Sequence, residues 1–518
     1  MTGHLGELMP RAAQRWPDEV FAVFEGEALT FAGMGAWVDA TARDLRAAGV
    51  RAGDPVLVHL PNCFEVLVLQ LAAWRLGAVS VPVVPIYRER ELRTIVHELR
   101  PPVVVAVAAL GDRHPADEFD RIIAECPDYA PARWNVGAPV SGWTRVRARP
   151  DVPVEPISSG ETDPEGCALI LYTSGTTAAP KGVRLSSSAI AAATAAWAGI
   201  GIGATDVAFA VAPLAHIAGL VPGGLLPLTV GCRVVITPRW DPDEAMRLID
   251  EHGATVSCGA TVFLADLVDR YEAAGPEVHR LSYFASGGAP TPPDLVRRAD
   301  KVGMRAARAF GMTETAGVIT LASADEPLEL RAIYDGRLLP GVEVRVVDDS
   351  GNDLPPETVG SLRIRAPQLL LGYIDDQLTE AQLQDGWFDP GDLGSVTADG
   401  WLTITGRTKD IINRGGEKFS ARDIEEAVLT HPAVARVAVA AVPDERFGEA
   451  VGAWVVVAAG QSWPGGKAVA AHLVDLGLAK AKIPIAWNVI DEIPVTVTGK
   501  VRKHELVDLS NTEGASRA

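Results

Sequence analysis

The chain has 518 residues, a formal net charge of -19 and five cysteines. That length is too great for one compact hydrophobic core, so at least two domains are expected. An acidic surface repels nucleic acid and anionic lipid, so neither is expected as a partner. The cysteines lie far apart without a CxxC or Cys–His pattern. This spacing argues against a disulfide framework or structural zinc and favours a cytoplasmic protein.

The chain contains no segment that reads as a membrane anchor. Its first residues include acidic side chains and no apolar run, so no signal peptide is expected. The most membrane-like stretch, residues 189–232, is rich in alanine and glycine and is interrupted by Asp206, His216 and several prolines. A spanning helix needs about 20 strongly apolar residues. We therefore predict that this stretch is buried core beside a cavity.

Most of residues 1–400 alternate short apolar runs with longer helical patterns, which predicts an α/β fold with mostly parallel sheets. In one clear unit, Asp241 caps a helix that Gly253 ends, and residues 254–257 follow as a strand. From Gly336 onward, short strands separated by tight turns predict a small β-rich subdomain.

The last part of the chain reads as a separate unit. Residues 406–419 are charged and contain glycines, as a linker would, and Ser420 with Asp423 predicts a capping box for a helix. An apolar strand is expected at 434–442. The predicted division is a large domain over residues 1–408 and a small α+β domain over residues 409–518.

A run dense in hydroxyl groups, YTSGTTAAPKGV at residues 172–183, follows the apolar strand 168–171. A helix is expected directly after it, near 186–188. Hydroxyls, backbone N–H groups and the amine of Lys181 are ligands for phosphate oxygens. The spacing of Gly175 and Lys181 does not fit the Walker pattern, which disfavours an unrelated P-loop NTPase. A polar surface turn is the alternative interpretation.

A second motif, AFGMTET, occupies residues 309–315. Phe310 offers an aromatic face for a base, and Thr313 offers a hydroxyl for a phosphate. Glu314 offers a hard oxygen ligand that suits Mg²⁺. Upstream, the glycines of SGGAP at 286–290 allow a base to lie against bare backbone. Alone, the second motif could equally be a turn with an N-capping threonine.

Two further motifs lie towards the carboxyl terminus. Asp392, in DPGDL, can accept both hydroxyl hydrogens of a ribose diol. Lys500 lies in PVTVTGKVRK. A cation there would offset the repulsion between a carboxylate and the α-phosphate that it attacks, most strongly in the transition state. Taken singly, each residue more often belongs to a solvated turn.

With these motifs in this order, the sequence resembles the adenylate-forming superfamily along nearly its whole length. That family includes acyl- and aryl-CoA synthetases, peptide-synthetase adenylation domains and beetle luciferases. The resemblance implies a large domain with the ATP and acyl sites and a small mobile domain with the catalytic lysine. It also implies ATP and Mg²⁺ as cofactors and CoA as co-substrate. Ala178, Phe310 and Pro390 depart from the residues usual in the family.

The resemblance also assigns individual roles. Catalysis is expected to involve Lys500, Thr313, Glu314 and His216, with Glu314 also holding the metal. Lys409 is the expected hinge, and Gly415 and Gly416 would shape a tunnel for the thiol. The residues expected at ATP and AMP are Thr173, Ser174, Gly175, Thr176, Thr177, Lys181, Gly288, Ala289, Pro290, Phe310, Gly311, Met312, Asp392 and Arg407. The residues expected at the acyl group are His216, Ile217, Gly219, Val262 and Gly287.

The implied reaction converts an acid and ATP into acyl-AMP and pyrophosphate, and then acyl-AMP and CoA into acyl-CoA and AMP. The expected acyl segment offers no aspartate for a substrate ammonium, so α-amino acids are disfavoured. Medium-chain, alicyclic and aromatic acids all remain open. A homodimer is compatible with the resemblance.

Other functions remain open. The acyl group could pass to a phosphopantetheinyl carrier protein or to another nucleophile, and a luciferase-like oxygenase is a weaker variant. A non-catalytic nucleotide-binding regulator belongs to a different class. Retention of Lys500 speaks against that regulator, because binding alone would not require this lysine.

Overall fold

The computed structural model describes residues 4–150, 154–158, 160, 163–173, 180–274, 281–414, 417–444, 446–495, 501–503 and 505–507. Its strands are β1 Val20–Phe24, β2 Glu27–Thr30, β3 Pro55–His59, β4 Val79–Pro82, β5 Val103–Val107, β6 Ala132–Val136, β7 Thr144–Arg145, β8 Cys167–Thr173, β9 Lys181–Ser186, β10 Val207–Ala210, β11 Arg233–Ile236, β12 Val256–Gly259, β13 Tyr283–Ser286, β14 Arg305–Arg308, β15 Phe310–Met312, β16 Gly317–Leu321, β17 Arg337–Leu338, β18 Glu343–Val347, β19 Gly360–Arg365, β20 Gly372–Tyr373, β21 Leu383–Gln384, β22 Trp387–Phe388, β23 Asp392–Val396, β24 Leu402–Arg407, β25 Ile411–Arg414, β26 Glu417–Ser420, β27 Val434–Asp444, β28 Gly448–Val457 and β29 Ala486–Val489. Its α-helices are α1 Leu8–Arg15, α2 Phe31–Ala47, α3 Phe64–Arg75, α4 Glu89–Leu99, α5 Pro115–Ala124, α6 Ser187–Ala198, α7 Ile217–Gly219, α8 Leu226–Val230, α9 Pro242–His252, α10 Thr261–Ala273, α11 Pro293–Lys301, α12 Leu328–Ile333, α13 Asp376–Gln382, α14 Ala421–Leu429 and α15 Gly466–Asp475. A π-helix, Leu220–Leu225, joins α7 to α8.

Two large sheets carry most of the chain and confirm the predicted α/β class. The first runs in the order β14-β13-β12-β10-β11-β1-β2 and is parallel apart from the hairpin β1–β2. The second runs in the order β20-β9-β8-β4-β3-β5-β6-β7 and is antiparallel only at β20–β9–β8. Because helices cover parallel sheets, most of these strands are buried on both faces.

The cap that the sequence predicts for α9 is present. Asp241 accepts hydrogen bonds from the backbone N–H groups of Asp243 and Glu244, and Gly253 ends the helix at φ +61°. The strand that follows begins at Val256, two residues later than predicted. The stretch 189–232 contains most of α6, then β10, α7, the π-helix and α8, and most of its apolar residues are buried, as predicted. Within the described residues, every helix is too short or too polar to cross a membrane.

The β-rich subdomain predicted from Gly336 onward is present as the mainly antiparallel sheet β18–β19–β23–β24 with its neighbours. The next sheet runs β26-β25-β28-β27, with β29 parallel to β28, and is packed against α14 and α15. The stretch predicted as a linker is instead largely ordered, because Ile411–Arg414 and Glu417–Ser420 pair as an antiparallel hairpin.

The predicted capping box before α14 is wrong. The helix does begin after Ser420, but the hydroxyl of Ser420 donates to the carbonyl oxygen of Thr405 in β24. The carboxylate of Asp423 pairs with Lys482 instead of reaching back to the cap. Residues distant in sequence thus bind both side chains that the local pattern assigned to the start of the helix.

A buried carboxylate joins the first sheet to the β-rich subdomain. Asp335 Oδ1 accepts hydrogen bonds from Nη2 and Nε of Arg308, at the end of β14, at 2.6 and 3.0 Å. Its Oδ2 accepts the backbone N–H of Ile404 in β24 at 2.8 Å. The guanidinium of Arg422, from α14, lies 3.6 Å from the same Oδ1. Arg308 and Asp335 are both buried, so neither charge has water as a substitute partner.

We expect Asp335→Ala to lower the free energy of unfolding by about 3–5 kcal/mol, because it leaves the Arg308 charge buried without its partner. Asp325→Ala is the matched control, since Asp325 pairs with Arg305 at the other end of β14 but is 94% exposed. That variant should unfold at the denaturant concentration of the parent. Urea unfolding checks both. Equal midpoints for the two variants would contradict the role of Asp335.

Candidate active site

The two described ends of the hydroxyl-rich run lie on the antiparallel strands β8 and β9. Thr173 ends β8, Lys181 begins β9, and their Cα atoms are partners across the two strands. Ser174, Gly175, Thr176 and Thr177 lie outside the described residues. The phosphate hairpin, formed by β8 and β9, therefore holds the two described ends of the predicted phosphate loop side by side.

The helix predicted near 186–188 is confirmed, because α6 starts at Ser187, where the hydroxyl of Ser186 accepts the N–H of Ala189. The strand β9, over residues 181–186, precedes it and was not predicted. Valine and leucine at 183 and 185 are fully buried against the sheet, which explains why an extended strand prevails here. The α6 amino terminus is thus separated from the loop by a whole strand.

The glycine-bearing strip after β13 lies at the carboxyl edge of the first sheet. Gly287 donates its N–H to Gly259 O at 3.0 Å, which joins the ends of β12 and β13. The hydroxyl of Thr261 lies 3.3 Å from Ala289 O and 3.1 Å from Pro290 O. Gly288 has φ +80°, a conformation that favours glycine. Ligands bind outside the carboxyl ends of strands in open α/β sheets, so this edge is the expected place for a nucleotide.

The second motif continues from the neighbouring strand, β14. Phe310, half-buried, packs against the apolar cluster of the β-rich subdomain and so lies where the two sheets meet. Gly311 has no room for a side chain, because a Cβ there would lie 2.0 Å from Gly317 O. Met312 donates its N–H to the hydroxyl of Thr315, and Thr313 is buried in the turn that follows. The motif is therefore a tightly held β-turn.

Glu314 is fixed by residues from the second sheet. Its Oε1 accepts the hydroxyl of Tyr373 at 3.0 Å, and its carbonyl oxygen accepts the N–H of Leu370 at 2.8 Å. Tyr373 lies in β20, where it is the Cα partner of Val183 in β9. Burial, together with the adjacent Glu314 charge, raises the pKa of the Tyr373 hydroxyl, so that it remains a donor. Tyr373 thus links Glu314 to β9, the strand that begins with Lys181.

The carboxylate oxygens of Glu314 fit a magnesium ion whose other ligands would come mainly from ATP. Among the described residues, no cluster of three or more histidine, cysteine, aspartate or glutamate side chains could hold a metal by itself. Tyr373 occupies Oε1, and Oε2 has no hydrogen-bond partner in the described part of the chain. Magnesium in nucleotide sites commonly uses one or two carboxylates together with phosphates and water.

Asp392 and Arg407 are direct neighbours across β23 and β24. Arg407 Nε donates to Asp392 Oδ1 at 2.8 Å, and the two residues are Cα partners. The Asp392 side chain is 3% exposed, whereas that of Arg407 is 37% exposed. The pairing orients the carboxylate and leaves the guanidinium partly accessible. Both predicted ribose contacts therefore lie at one place on the β-rich sheet.

Asn62 and Gln70 hold the segment that leads to His216. Asn62 donates to Ala212 O and accepts the N–H of Leu214 at 2.7 Å, and Gln70 donates to Leu214 O at 3.2 Å. His216 lies at the amino end of α7, where its Nδ1 accepts the N–H of Ala218 at 3.2 Å. The imidazole is therefore half-buried in a fixed orientation at the entrance to the π-helix.

A small cavity, with room for about one water molecule, lies behind this segment. Ala208 and Ala210 of β10 and Cys258 of β12 line it on the sheet side. Trp197 of α6 and Gly223 of the π-helix line the opposite side. The π-helix forms part of the cavity wall. π-Helical turns are rare, and they occur frequently at functional sites.

The predicted acyl residues divide into two groups. Gly219 lines the cavity, and His216 and Ile217 lie directly before it, with Ile217 buried in the main core. Val262 packs against the cluster on the other face of the sheet, so it does not line this cavity, and neither does Gly287. Side chains along a strand alternate between the two faces of the sheet. The sequence motifs do not reveal which of these faces borders the cavity.

Several assigned residues lie outside the described parts of the chain. These are Lys500, Gly415 and Gly416, together with the tip of the phosphate loop. Lys409 is described only through its backbone, in the turn Thr408–Asp410. Their expected roles remain predictions.

The sequence analysis missed Tyr373, Asn62, Gln70 and the cavity residue Trp197. Three of them act across long sequence separations: 59 residues between Tyr373 and Glu314, 150 between Asn62 and Ala212, and 144 between Gln70 and Leu214. The position of Asn62 directly after the apolar strand β3 was the available signal, because polar residues at such strand ends face the ligand edge.

Comparison with known proteins agrees with this arrangement. Residues 9–374 match the family model of AMP-binding enzymes, and residues 423–500 match that of the AMP-binding enzyme carboxyl-terminal domain. The medium-chain fatty-acid–CoA ligase of Escherichia coli (strain K12) is 31% identical over 509 residues, covering 96% of this chain and 89% of the relative.

Two solved structures share the fold along almost the whole chain. ATP-bound MatB from Rhodopseudomonas palustris is 28% identical with a TM-score of 0.86, covering 98% of this chain and 99% of that chain. The amide bond synthetase McbA from Marinactinospora thermotolerans is 27% identical with a TM-score of 0.84 and the same coverage.

We expect Tyr373→Phe to weaken MgATP binding about tenfold, because a hydrogen bond to a charged group contributes about 1.5–3 kcal/mol. Titration calorimetry with MgATP measures the effect. Tyr129→Phe is the control, since it also removes a hydroxyl donor, here to Pro101 O, at a distant surface. With ATP and EDTA the two variants should bind alike, because the contact acts through Glu314. Equal MgATP affinities would refute this role.

Proposed function

Because the chain belongs to the AMP-binding enzyme family, we propose that it is an ATP-dependent carboxylic acid–CoA ligase. The observation that carries the proposal is the joining of Glu314 to the phosphate hairpin through Tyr373. This contact supports the proposal, because it links the predicted metal ligand Glu314 to β9, the strand that begins with Lys181 of the predicted phosphate loop. The matches of residues 9–374 and 423–500 to the two family models support the same function.

In the first step, a carboxylate oxygen of the acid attacks the α-phosphorus of ATP. The bond from that phosphorus to the bridging oxygen breaks, and pyrophosphate leaves. Thr313 donates to the α-phosphate, Asp392 accepts the ribose hydroxyls, and Lys500 offsets the negative charge that accumulates. Magnesium bound at Glu314 would neutralise phosphate charge during this displacement.

In the second step, the thiol sulfur of CoA attacks the acyl carbon, AMP leaves and the thiol proton is released. The two steps need different surroundings, a cation for the first and open access for the second. We propose that the small domain, residues 409–518, turns about Lys409 to provide each in turn. Gly415 and Gly416 would then line the path of the thiol.

A second candidate changes only the acceptor. The resemblance to the amide bond synthetase McbA favours it, because the fold that the two chains share carries amide formation there. A carrier-protein thiol is a further acceptor. The dispersed cysteines, all free in the structure, support the proposal that the protein works in the cytoplasm. A homodimer remains compatible with the proposal.

We expect at least one class of carboxylic acid to cause pyrophosphate release from ATP and Mg²⁺, and CoA to raise the turnover. The purified protein is incubated with a panel of acids, with and without CoA, and both pyrophosphate and acyl-CoA are measured. Pyrophosphate without a CoA effect would point to a different acceptor. A broad panel that gives no pyrophosphate would overturn the catalytic reading itself.

We expect Lys500→Ala to slow adenylation by at least about 100-fold while largely sparing thiolysis of supplied acyl-AMP, because only the first step needs the cation. Each half-reaction is measured separately in single-turnover experiments. Lys467→Ala removes the same charge from an exposed position in α15 and should leave both half-reactions unchanged. Equal losses in both half-reactions of Lys500→Ala would contradict the assignment.

A further inference from the structure

The glycine strip that follows β13 rests on three hydroxyl groups, which come from separate elements. Ser286 ends β13, Thr261 begins α10, and Thr291 lies two residues before α11. Ser286 and Thr291 are buried, with exposures of 1% and 3%. Gly288 and Pro290 of the strip are exposed. The strip therefore has a backbone surface open to solvent and a polar side that is turned towards the interior.

The three hydroxyl groups form a continuous chain. The oxygen atoms of Ser286 and Thr291 lie 2.8 Å apart, and those of Thr291 and Thr261 lie 2.9 Å apart. Thr261 Oγ1 in turn lies 3.3 Å from Ala289 O and 3.1 Å from Pro290 O. The first two distances are typical of O–H···O hydrogen bonds, and the last two are longer, as expected of one proton shared between two acceptors. The chain therefore runs from the end of β13 to the carbonyl groups of the strip.

The direction of this chain follows from the number of protons. A carbonyl oxygen can only accept, so the single hydroxyl proton of Thr261 is donated to Ala289 O and Pro290 O. Thr261 must then accept from Thr291, whose own proton is used in that bond. Thr291 must in turn accept from Ser286. Because the bonds of such a chain polarise one another, loss of the middle hydroxyl weakens the contact at the strip.

The backbone fixes the other end of the strip. Gly287 donates its N–H to Gly259 O at 3.0 Å, and Ala309 donates its N–H to Ser286 O at 2.8 Å. A Cβ added to Gly287 would lie 3.0 Å from Ala309 O, so the strip and the second motif are in close contact. The start of the strip is thus held by the ends of β12 and β14, and residues 288–290 are held by the hydroxyl chain.

We propose that Thr291 and Thr261 are positioning residues for the base of the nucleotide. Through the hydroxyl chain they hold the carbonyl groups of the strip, and with them the exposed backbone on which the base would lie. The proposal rests on the nucleotide site of the ligase function proposed above and adds residues that act from beneath that site. Because the phosphates are expected at β8 and β9, loss of the chain should weaken binding of the base and spare binding of the phosphates.

The first test compares a ligand that has a base with one that has none. Thr291→Val keeps the shape of the side chain and removes its hydroxyl. Its Kd for AMP, measured by titration calorimetry, should rise about tenfold, because a buried hydrogen-bond chain that holds the strip is broken. Its Kd for magnesium pyrophosphate should equal that of the parent. Equal losses for the two ligands, or no loss for AMP, would overturn the proposal.

Two further variants serve as controls. Thr291→Ser restores the hydroxyl and should bind AMP as the parent does. Thr194→Val removes a hydroxyl that is equally buried, with 1% exposure of the residue, and that donates to Ile190 O within α6. It should leave both affinities unchanged. A loss of AMP binding in Thr194→Val as large as that in Thr291→Val would mean that removal of any buried hydroxyl has this effect, and the assignment would be wrong.

The order of donation provides a second test. Thr291 acts on the strip through Thr261, so Thr261→Val alone should weaken AMP binding at least as much as Thr291→Val. The variant with both substitutions should bind AMP no more weakly than Thr261→Val. A loss equal to the product of the two single losses would mean that the residues act independently, and would exclude the directed chain. Thr261 is only half-buried, so its variant carries the test if Thr291→Val fails to fold.

The outcomes separate the two proposals. If the parent binds no AMP and releases no pyrophosphate with any acid, the ligase function fails and this inference fails with it. If the parent binds AMP and Thr291→Val binds it equally well, the nucleotide site stands and the positioning role is wrong. A loss confined to AMP, with recovery in Thr291→Ser, supports the assignment.

Discussion

The buried pair of Arg308 and Asp335 determines how the first sheet and the β-rich subdomain meet. Arg308 ends β14, and the second motif follows directly with Ala309 and Phe310, whose ring packs against the β-rich cluster. Glu314, a few residues further, is bound by Tyr373 from the second sheet. The stretch from 308 to 314 is therefore fixed by all three sheets, and with it the side chains that are predicted to contact a base, a phosphate and a metal.

The site uses the edges of these sheets, and the sheet interiors only support it. The glycine strip follows β13, the phosphate hairpin joins β8 and β9, and the Asp392–Arg407 pair spans β23 and β24. An AMP-forming acid–thiol ligase needs such an arrangement, because its nucleotide is held by several weak contacts and its acid must approach from another side. Gly219, one of the residues predicted at the acyl group, lines the small cavity behind His216.

The sequence predicted the α/β class, the β-rich subdomain and the order of the motifs, because these depend on local periodicity and on short patterns. It failed where long-range partners compete with local ones. Ser420 and Asp423 fit a capping box but bind Thr405 and Lys482 instead. The strand β9 was missed because its burial depends on neighbours distant in sequence. No local sequence pattern around Tyr373 predicts its contact with Glu314, because that contact depends on the pairing of β20 with β9.

The position of Arg422 has a consequence for the proposed rotation of the small domain. Its guanidinium reaches Asp335 across the boundary near Lys409, while Arg308 and the N–H of Ile404 hold the same carboxylate from within the large domain. If the small domain turns away, Asp335 would keep these two partners and Arg422 would keep its pairing with Glu426 on α14. Release of the Arg422–Asp335 contact would therefore leave the contacts within the large domain intact. Both side chains are mostly buried, so dissolved salt would screen this contact only weakly.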